Sequence, residues 1–94
     1  MEITKHTIEQ LEDPTGILTG ERYEIILHVE VEEEDELFTE QGIYIKVIFA
    51  VDENSSRIAQ YQLFENNTNK YLDFILEDEE LEELQQYCST LINN

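Results

Sequence analysis

Two stretches of the chain alternate with the period of a β-strand. In GIYIKVIFAVD, from Gly42 to Asp52, both alternating sides are mostly apolar, which indicates a strand in the middle of a sheet. In RYEIILHVEV, from Arg22 to Val31, one side is apolar and the other carries two glutamates and a histidine. That pattern is typical of a strand with one buried and one wetter face. We expect the two strands to pair across the connection formed by residues 32–41.

Three further segments read as strands. Met1–Leu11 alternates only in part and predicts an edge strand, whereas Arg57–Glu65 and Lys70–Leu76 alternate more regularly. Polar turn residues separate these last two strands from each other and from the Gly42 strand. Short links of this kind predict an antiparallel meander.

The period changes to that of a helix near the end of the chain. From Asp78, a plausible N-cap, apolar residues recur at helical spacing: Leu81, Leu84, Cys88, Leu91 and Ile92. The sequence therefore predicts an α+β fold, with a four- to five-stranded antiparallel meander sheet and one C-terminal α-helix packed on one face. We expect a single domain over residues 1–94. The expected core is Tyr23, Ile25, Leu27, Ile45, Val47, Phe49, Leu63, Phe74, Leu81, Leu84 and Leu91.

Charge narrows the possible partners. The chain has 23 acidic and 5 basic residues, a formal net charge of −18. Such a surface repels nucleic acid and anionic membranes, and it attracts basic proteins and cations. We therefore predict a basic protein as partner, with no direct nucleic-acid or membrane binding, and favour a monomer.

The acidic run of Glu32, Glu33, Glu34, Asp35 and Glu36 follows the Arg22 strand directly. Its simplest interpretation is a solvated loop that also keeps the sheet from pairing with another sheet. A docking patch for a basic partner is the second interpretation. A metal site is the third, although the run lacks the spacing of a calcium loop. The second acidic run, from Glu77 to Glu83, is explained largely by the helix dipole at its start.

The loop DPTGILTG, from Asp13 to Gly20, holds two apolar residues between glycines, Ile17 and Leu18. We expect these side chains to tuck under the sheet, because a small core uses every apolar side chain. If they are exposed instead, they are candidate partner-binding residues beside the acidic run.

Chemistry-bearing motifs are not evident in the sequence. Cys88 lies on the apolar stripe of the predicted helix, and His6 and His28 lie on separate predicted strands. No phosphate-binding glycine motif or metal-ligand spacing occurs. We therefore predict no catalytic residue, no cofactor and no metal. The N-terminus lacks the apolar stretch of a leader peptide, so a cytoplasmic location is expected.

DPTGILTGERYE, IYIKVIFAVD and YLDFILEDEE resemble segments of a family of short acidic proteins from Gram-positive bacteria. The resemblance covers nearly the whole chain and implies an uncharacterised cytoplasmic bacterial protein. Some members of that family carry an automatic "pullulanase" label. The chain is too short for a glycosidase barrel and has no tryptophan to stack on a sugar.

These observations favour a non-enzymatic protein-interaction module that binds a basic partner. One alternative is a DNA mimic that occupies the site of a nucleic-acid-binding protein. Another is a small enzyme or a carbohydrate-related accessory protein, which would need a pocket around a perturbed carboxylate.

Overall fold

A computed structural model describes residues 2–12, 20–53 and 55–92 of the protein. The elements in chain order are β1 (Glu2–Leu11), β2 (Glu21–Glu30), β3 (Ile43–Val51), β4 (Ser56–Glu65), β5 (Tyr71–Leu72) and α1 (Asp78–Ile92). The strands form one sheet in the order β1-β2-β3-β4-β5, and every neighbouring pair is antiparallel. The α+β fold predicted from the sequence, a meander sheet with one C-terminal helix, is confirmed.

The core lies between the sheet and α1. The alternating apolar residues of the two central strands and of β4 supply most of it, together with two residues from the helix. The buried residues are Ile25, Leu27, Val29, Leu37, Ile43, Ile45, Val47, Phe49, Leu63, Leu76, Leu84 and Cys88. Most of the expected core is confirmed. Four of its members, Tyr23, Phe74, Leu81 and Leu91, are only partly buried and pack against it from the rim.

The last strand is shorter than the sequence predicted. The segment Lys70–Leu76 keeps its alternation of burial, since Leu72, Phe74 and Leu76 turn inward while the residues between them are exposed. However, only Tyr71 and Leu72 pair with β4. The backbone N–H of Leu76 donates instead to the hydroxyl of Tyr61, at 3.0 Å. The alternation of the segment thus predicts correctly which side chains are buried. It does not predict the strand length, because the N–H of Leu76 bonds a tyrosine side chain rather than the backbone of β4.

Because β5 is short, the outer edge of β4 has no strand partner from Ser56 to Gln62 within the described residues. The helix covers part of this edge with one side chain. The amide of Gln85 donates to the carbonyl of Ser56 at 2.8 Å and accepts from the N–H of Ile58 at 3.1 Å. It thereby makes the two backbone bonds that a neighbouring strand would make, which protects the edge from pairing with another chain.

Candidate functional site

The acidic run predicted from the sequence forms a compact loop rather than an extended tail. All five residues from Glu32 to Glu36 are exposed. The N–H of Asp35 donates to the carbonyl of Glu32 at 2.9 Å, and the N–H of Phe38 donates to the carbonyl of Asp35 at 3.0 Å. These bonds are typical of consecutive turns. The loop therefore presents its carboxylates from a defined backbone.

The residues that follow anchor this loop. Leu37 is 5% exposed and belongs to the core, whereas Phe38 beside it remains 37% exposed. The N–H of Leu37 also donates to the Oδ1 atom of Asp35, at 2.9 Å. Burial of Leu37 thus anchors the end of the exposed acidic loop. The sequence contained a signal for this anchor, because Leu37 and Phe38 are two large apolar residues inside an otherwise polar segment.

The second acidic run begins α1. The carbonyl of Glu77 accepts the first helical bond, from the N–H of Leu81 at 2.9 Å, which makes Glu77 the N-cap rather than the expected Asp78. The carboxylate of Glu80 accepts the N–H of Glu77 at 3.1 Å. This is half of a capping box, in which an acid in the first turn satisfies a free backbone donor. Negative charge here is also favoured by the helix dipole.

The tertiary structure brings the two acidic runs together. An open cavity of about 450 Å³ is lined by Asp35 and Glu36 from the loop and by Glu77 and Glu80 from the helix start, with Phe74 as an apolar wall. We call the loop 32–36 and the helix start 77–80 the acidic end. The sequence does not indicate that the two runs lie side by side, because neither run shows which end of the sheet lies beside the start of the helix.

The structure places the predicted partner-binding residues as follows. Glu32, Glu33, Glu34, Asp35 and Glu36 form the exposed loop of the acidic end. Ile17 and Leu18 lie outside the described residues, so their expected place under the sheet stays a prediction. The start of the second acidic run, which the helix dipole largely explains, also forms part of the site.

The histidines do not meet. His6 pairs in register with Leu27, on the side of the sheet that faces the helix, and its Nδ1 atom lies 3.0 Å from the hydroxyl of Tyr87. His28 pairs with Tyr44 on the opposite side of the sheet. Among the described residues, no group of three or more His, Cys, Asp or Glu side chains is arranged to hold a metal ion.

Cys88 packs in the core, as its place on the helical stripe predicted, and is 0% exposed. Burial raises the pKa of its thiol from an ordinary value of 9.0 to about 11. Only the thiolate is strongly nucleophilic, so the geometry and the raised pKa both make this cysteine unreactive in the folded protein.

We expect a thiol reagent to modify Cys88 slowly in the native protein at pH 8 and rapidly in urea. Because the unfolded thiol ionises near pH 9 and the folded one near 11, its contribution to stability is complete below pH 9 and is lost as the pH rises to 11. Urea denaturation of the wild type and of Cys88→Ala across this pH range measures the contribution of the thiol. Other groups titrate equally in both proteins, so the difference between their free energies of unfolding isolates Cys88. Equal modification rates in native and denatured protein would contradict this burial.

Comparisons with known proteins place the chain in a family. Among the described residues, no helix has the length and apolar character that a membrane span requires. No curated protein and no solved structure matches the chain. A family sequence model, by contrast, matches the chain from its first residue to its last. The chain belongs to DUF6509, a family of unknown function whose sequence model matches residues 1–94.

Proposed function

We propose that the protein is a small interaction module that binds a basic partner through its acidic end. The observation that carries this proposal is the shared cavity of Asp35, Glu36, Glu77 and Glu80, which joins two acidic runs about 40 residues apart in sequence. A partner that presents lysines or arginines would meet carboxylates from both runs at once. Phe74 in the cavity wall offers an apolar contact between the charges.

Order in the acidic end supports this proposal. The loop bonds, the buried Leu37 and the contact between Glu80 and Glu77 hold the backbone before any partner arrives. A preformed site loses less conformational entropy on binding than a disordered acidic tail would lose. The net charge of −18 adds long-range attraction, which raises the association rate with a basic protein at low ionic strength.

The test uses a lysine-rich peptide as the probe and measures its dissociation constant by titration calorimetry. The variant carries Asp35→Asn, Glu36→Gln, Glu77→Gln and Glu80→Gln, which remove charge but keep the shape and the acceptor oxygens. We expect binding to weaken by at least about tenfold in this variant, because each exposed ion pair contributes little alone and four act together.

The matched control removes the same charge from the opposite end of the sheet, with Glu9→Gln, Glu12→Gln, Glu21→Gln and Glu53→Gln. We expect the control to weaken binding by less than about threefold, because screening limits the reach of distant charges. Equal losses in the two variants would contradict the assignment to the acidic end. Affinity of the wild type that does not fall with added salt would contradict the proposal as a whole.

The DNA-mimic hypothesis shares this surface and stays a prediction. It narrows the basic partner to a nucleic-acid-binding protein. Competition decides between the two, because a mimic displaces DNA from its partner whereas a module that binds elsewhere on the partner leaves the DNA in place.

A further inference from the structure

The face of the sheet opposite α1 has a composition unlike the rest of the protein. Residues that pair across neighbouring strands share a face, so the register gives its rows directly. One row carries Lys5, His28, Tyr44, Phe64 and Tyr71, and the next carries Thr7, Ile26, Lys46 and Gln62. The remaining rows carry Glu9, Glu24, Ile48 and Gln60; Leu11, Arg22, Ala50 and Arg57; and, at one end, Glu2 and Glu30. We call these residues the open face.

The open face is electrically neutral. Four of the five basic residues of the chain lie on it, namely Lys5, Arg22, Lys46 and Arg57, beside four acids. The other nineteen acids and one base lie elsewhere in the sequence and account for the whole net charge of −18. Lys46 lies 4.0 Å from Glu24 of the neighbouring strand, so charges of opposite sign meet near the middle of this surface.

Two strand irregularities produce this arrangement. Between Ile3 and Lys5 the register with β2 shifts by one residue, and between Ile48 and Phe49 the register with β4 shifts past Ala59. A strict alternation along β4 would place Arg57 on the same side as Leu63, in the helix layer. The bulge in β4 instead turns Arg57 onto the open face, and the bulge in β1 turns Glu2 onto it while Ile3 enters the helix layer, as bulges commonly re-aim side chains.

Aromatic side chains lie toward one end of the open face, and two isoleucines lie nearer its middle. The rings of Tyr44 and Phe64 stack with centroids 5.2 Å apart, and Tyr71 meets Phe64 edge-on at 5.8 Å. Ile26 and Ile48 lie in the next two rows and are half-buried, and Tyr71 is 53% exposed.

From this surface we infer that the open face binds a second copy of the chain, sheet against sheet. A two-fold pair places the same patch on both partners, so a patch of one charge sign would repel itself. The neutral open face can meet itself without such repulsion, whereas the acidic end cannot. Its aromatic row and the two isoleucines beside that row are of the kind that homodimer interfaces bury.

The size of the open face fits a dimer. Four strands spaced about 4.8 Å apart, each about ten residues long with a rise of about 3.3 Å per residue, cover a flat area of roughly 600 Å². The side chains that protrude from this plane add to the accessible surface. Standard interfaces bury about 800 Å² per partner. Two twisted sheets can pack at about 10 Å with their strands nearly aligned, which would enclose the two open faces between two outer helices.

This inference is independent of the proposed function. The dimer and the complex with a basic partner should also respond to salt in opposite directions. Two copies with a net charge of −18 repel each other at long range, although their open faces are neutral. Salt screens that repulsion, because the Debye length falls from about 30 Å at 0.01 M to about 3 Å at 1 M. Dimer formation should therefore strengthen with salt, whereas binding of a basic partner should weaken.

Sedimentation velocity over a range of protein concentrations tests this inference. We expect the dimer dissociation constant to fall by at least about tenfold between about 0.01 M and 1 M sodium chloride. Protein that stays monomeric at both salt concentrations, up to about 1 mM chain, would overturn the inference, because even a weak dimer is populated there. A dimer that weakens with salt would also overturn it, since that response indicates contact between opposite charges.

Two variants of opposite charge locate the contact. Ile26→Glu faces Lys46, and Ile48→Lys faces Glu24, so each new charge has an opposite neighbour within its own sheet. Both should weaken the dimer at 1 M salt by about tenfold or more, because each puts a charge into the centre of the interface. The controls Ile75→Glu and Ile75→Lys add the same charges at a site outside the strands that is 81% exposed, and should keep the dimer.

Circular dichroism melts show whether each variant is folded before its mass is compared. If Ile26→Glu weakens the dimer while Ile48→Lys strengthens it, net charge rather than the open face decides association, and the inference is wrong. Unchanged dimers in both folded variants would likewise overturn it.

Discussion

Phe49→Ala is expected to lower the free energy of unfolding by about 3–5 kcal/mol, the cost typical of removing a buried phenylalanine ring. Phe49 lies on the central strand β3, is 0% exposed, and pairs across the sheet with Tyr23 and Ile58. A domain of this size has a stability of about 5–15 kcal/mol in total. The variant should therefore lose a large part of its stability, which urea denaturation followed by circular dichroism measures.

The control for Phe49→Ala is Ile75→Ala. Ile75 is 81% exposed, so its removal leaves no internal cavity, and we expect a change within about 0.5 kcal/mol. The midpoint should shift without a change in the denaturant slope if only stability has changed. A loss below about 1 kcal/mol for Phe49→Ala would mean that the core between sheet and helix is loosely packed, which would contradict the fold described above.

Gly20→Ala is expected to destabilise the protein by about 2–5 kcal/mol, for two separate reasons. Gly20 has φ of +77°, a region that residues with a Cβ atom rarely adopt. An added Cβ atom would also overlap the carbonyl oxygen of Val51 and lie 3.2 Å from the Cα atom of Asp52. These are backbone atoms at the end of β3, so the sheet itself would have to shift.

Gly42→Ala separates the two causes. Gly42 has nearly the same φ, +79°, but its added Cβ atom would meet only the side-chain nitrogen of Asn66, at 3.0 Å. A side chain can move aside, so this variant should lose only the conformational cost of about 1–2 kcal/mol. Equal losses in the two variants would show that the approach of Val51 to Gly20 does not matter for stability.

The proposed partner site and the inferred dimer surface differ in charge, since the first is strongly negative and the second is neutral. The acidic end joins carboxylates from two distant runs, while the open face gathers most of the few cations. A protein with these two surfaces could bind a basic partner as a dimer, with two acidic ends presented on one assembly. Paired sites of this kind raise the overall affinity when the partner can engage both. Opposite responses to salt make the two interactions separable in one set of measurements.

The sequence predicted less about the candidate site than about the fold. It identified the run from Glu32 to Glu36 because five consecutive acids are visible without any coordinates. It attributed the acids at the helix start to capping and the helix dipole, with Asp78 as the N-cap, whereas in the structure Glu77 is the N-cap and its N–H donates to Glu80. It missed that the two runs share a cavity, because that depends on where the loop after β2 lies relative to the start of α1. The buried Leu37 is the anchor that decides this, and its burial is a tertiary fact.

What the sequence determined by itself is local. The alternation in β2 and β3, the change to helical spacing after Asp78, and the net charge are properties of neighbouring residues, and they were enough to predict a meander sheet with one helix. The short extent of β5 is visible only in the structure, where the N–H of Leu76 donates to the hydroxyl of Tyr61 rather than to the backbone of β4.

Only the tertiary structure decided which side chains share a surface. Bulges near Ile3 and Ala59 reverse the facing of the residues beyond them, so Glu2 and Arg57 lie on the open face although a strict period of two along the rest of each strand would place them opposite. A bulge is set by how one strand fits its neighbour, which the alternation within a single strand does not record. The physical reason is that the hydrophobic period is a property of a single strand, whereas the pairing register is a property of two neighbouring strands.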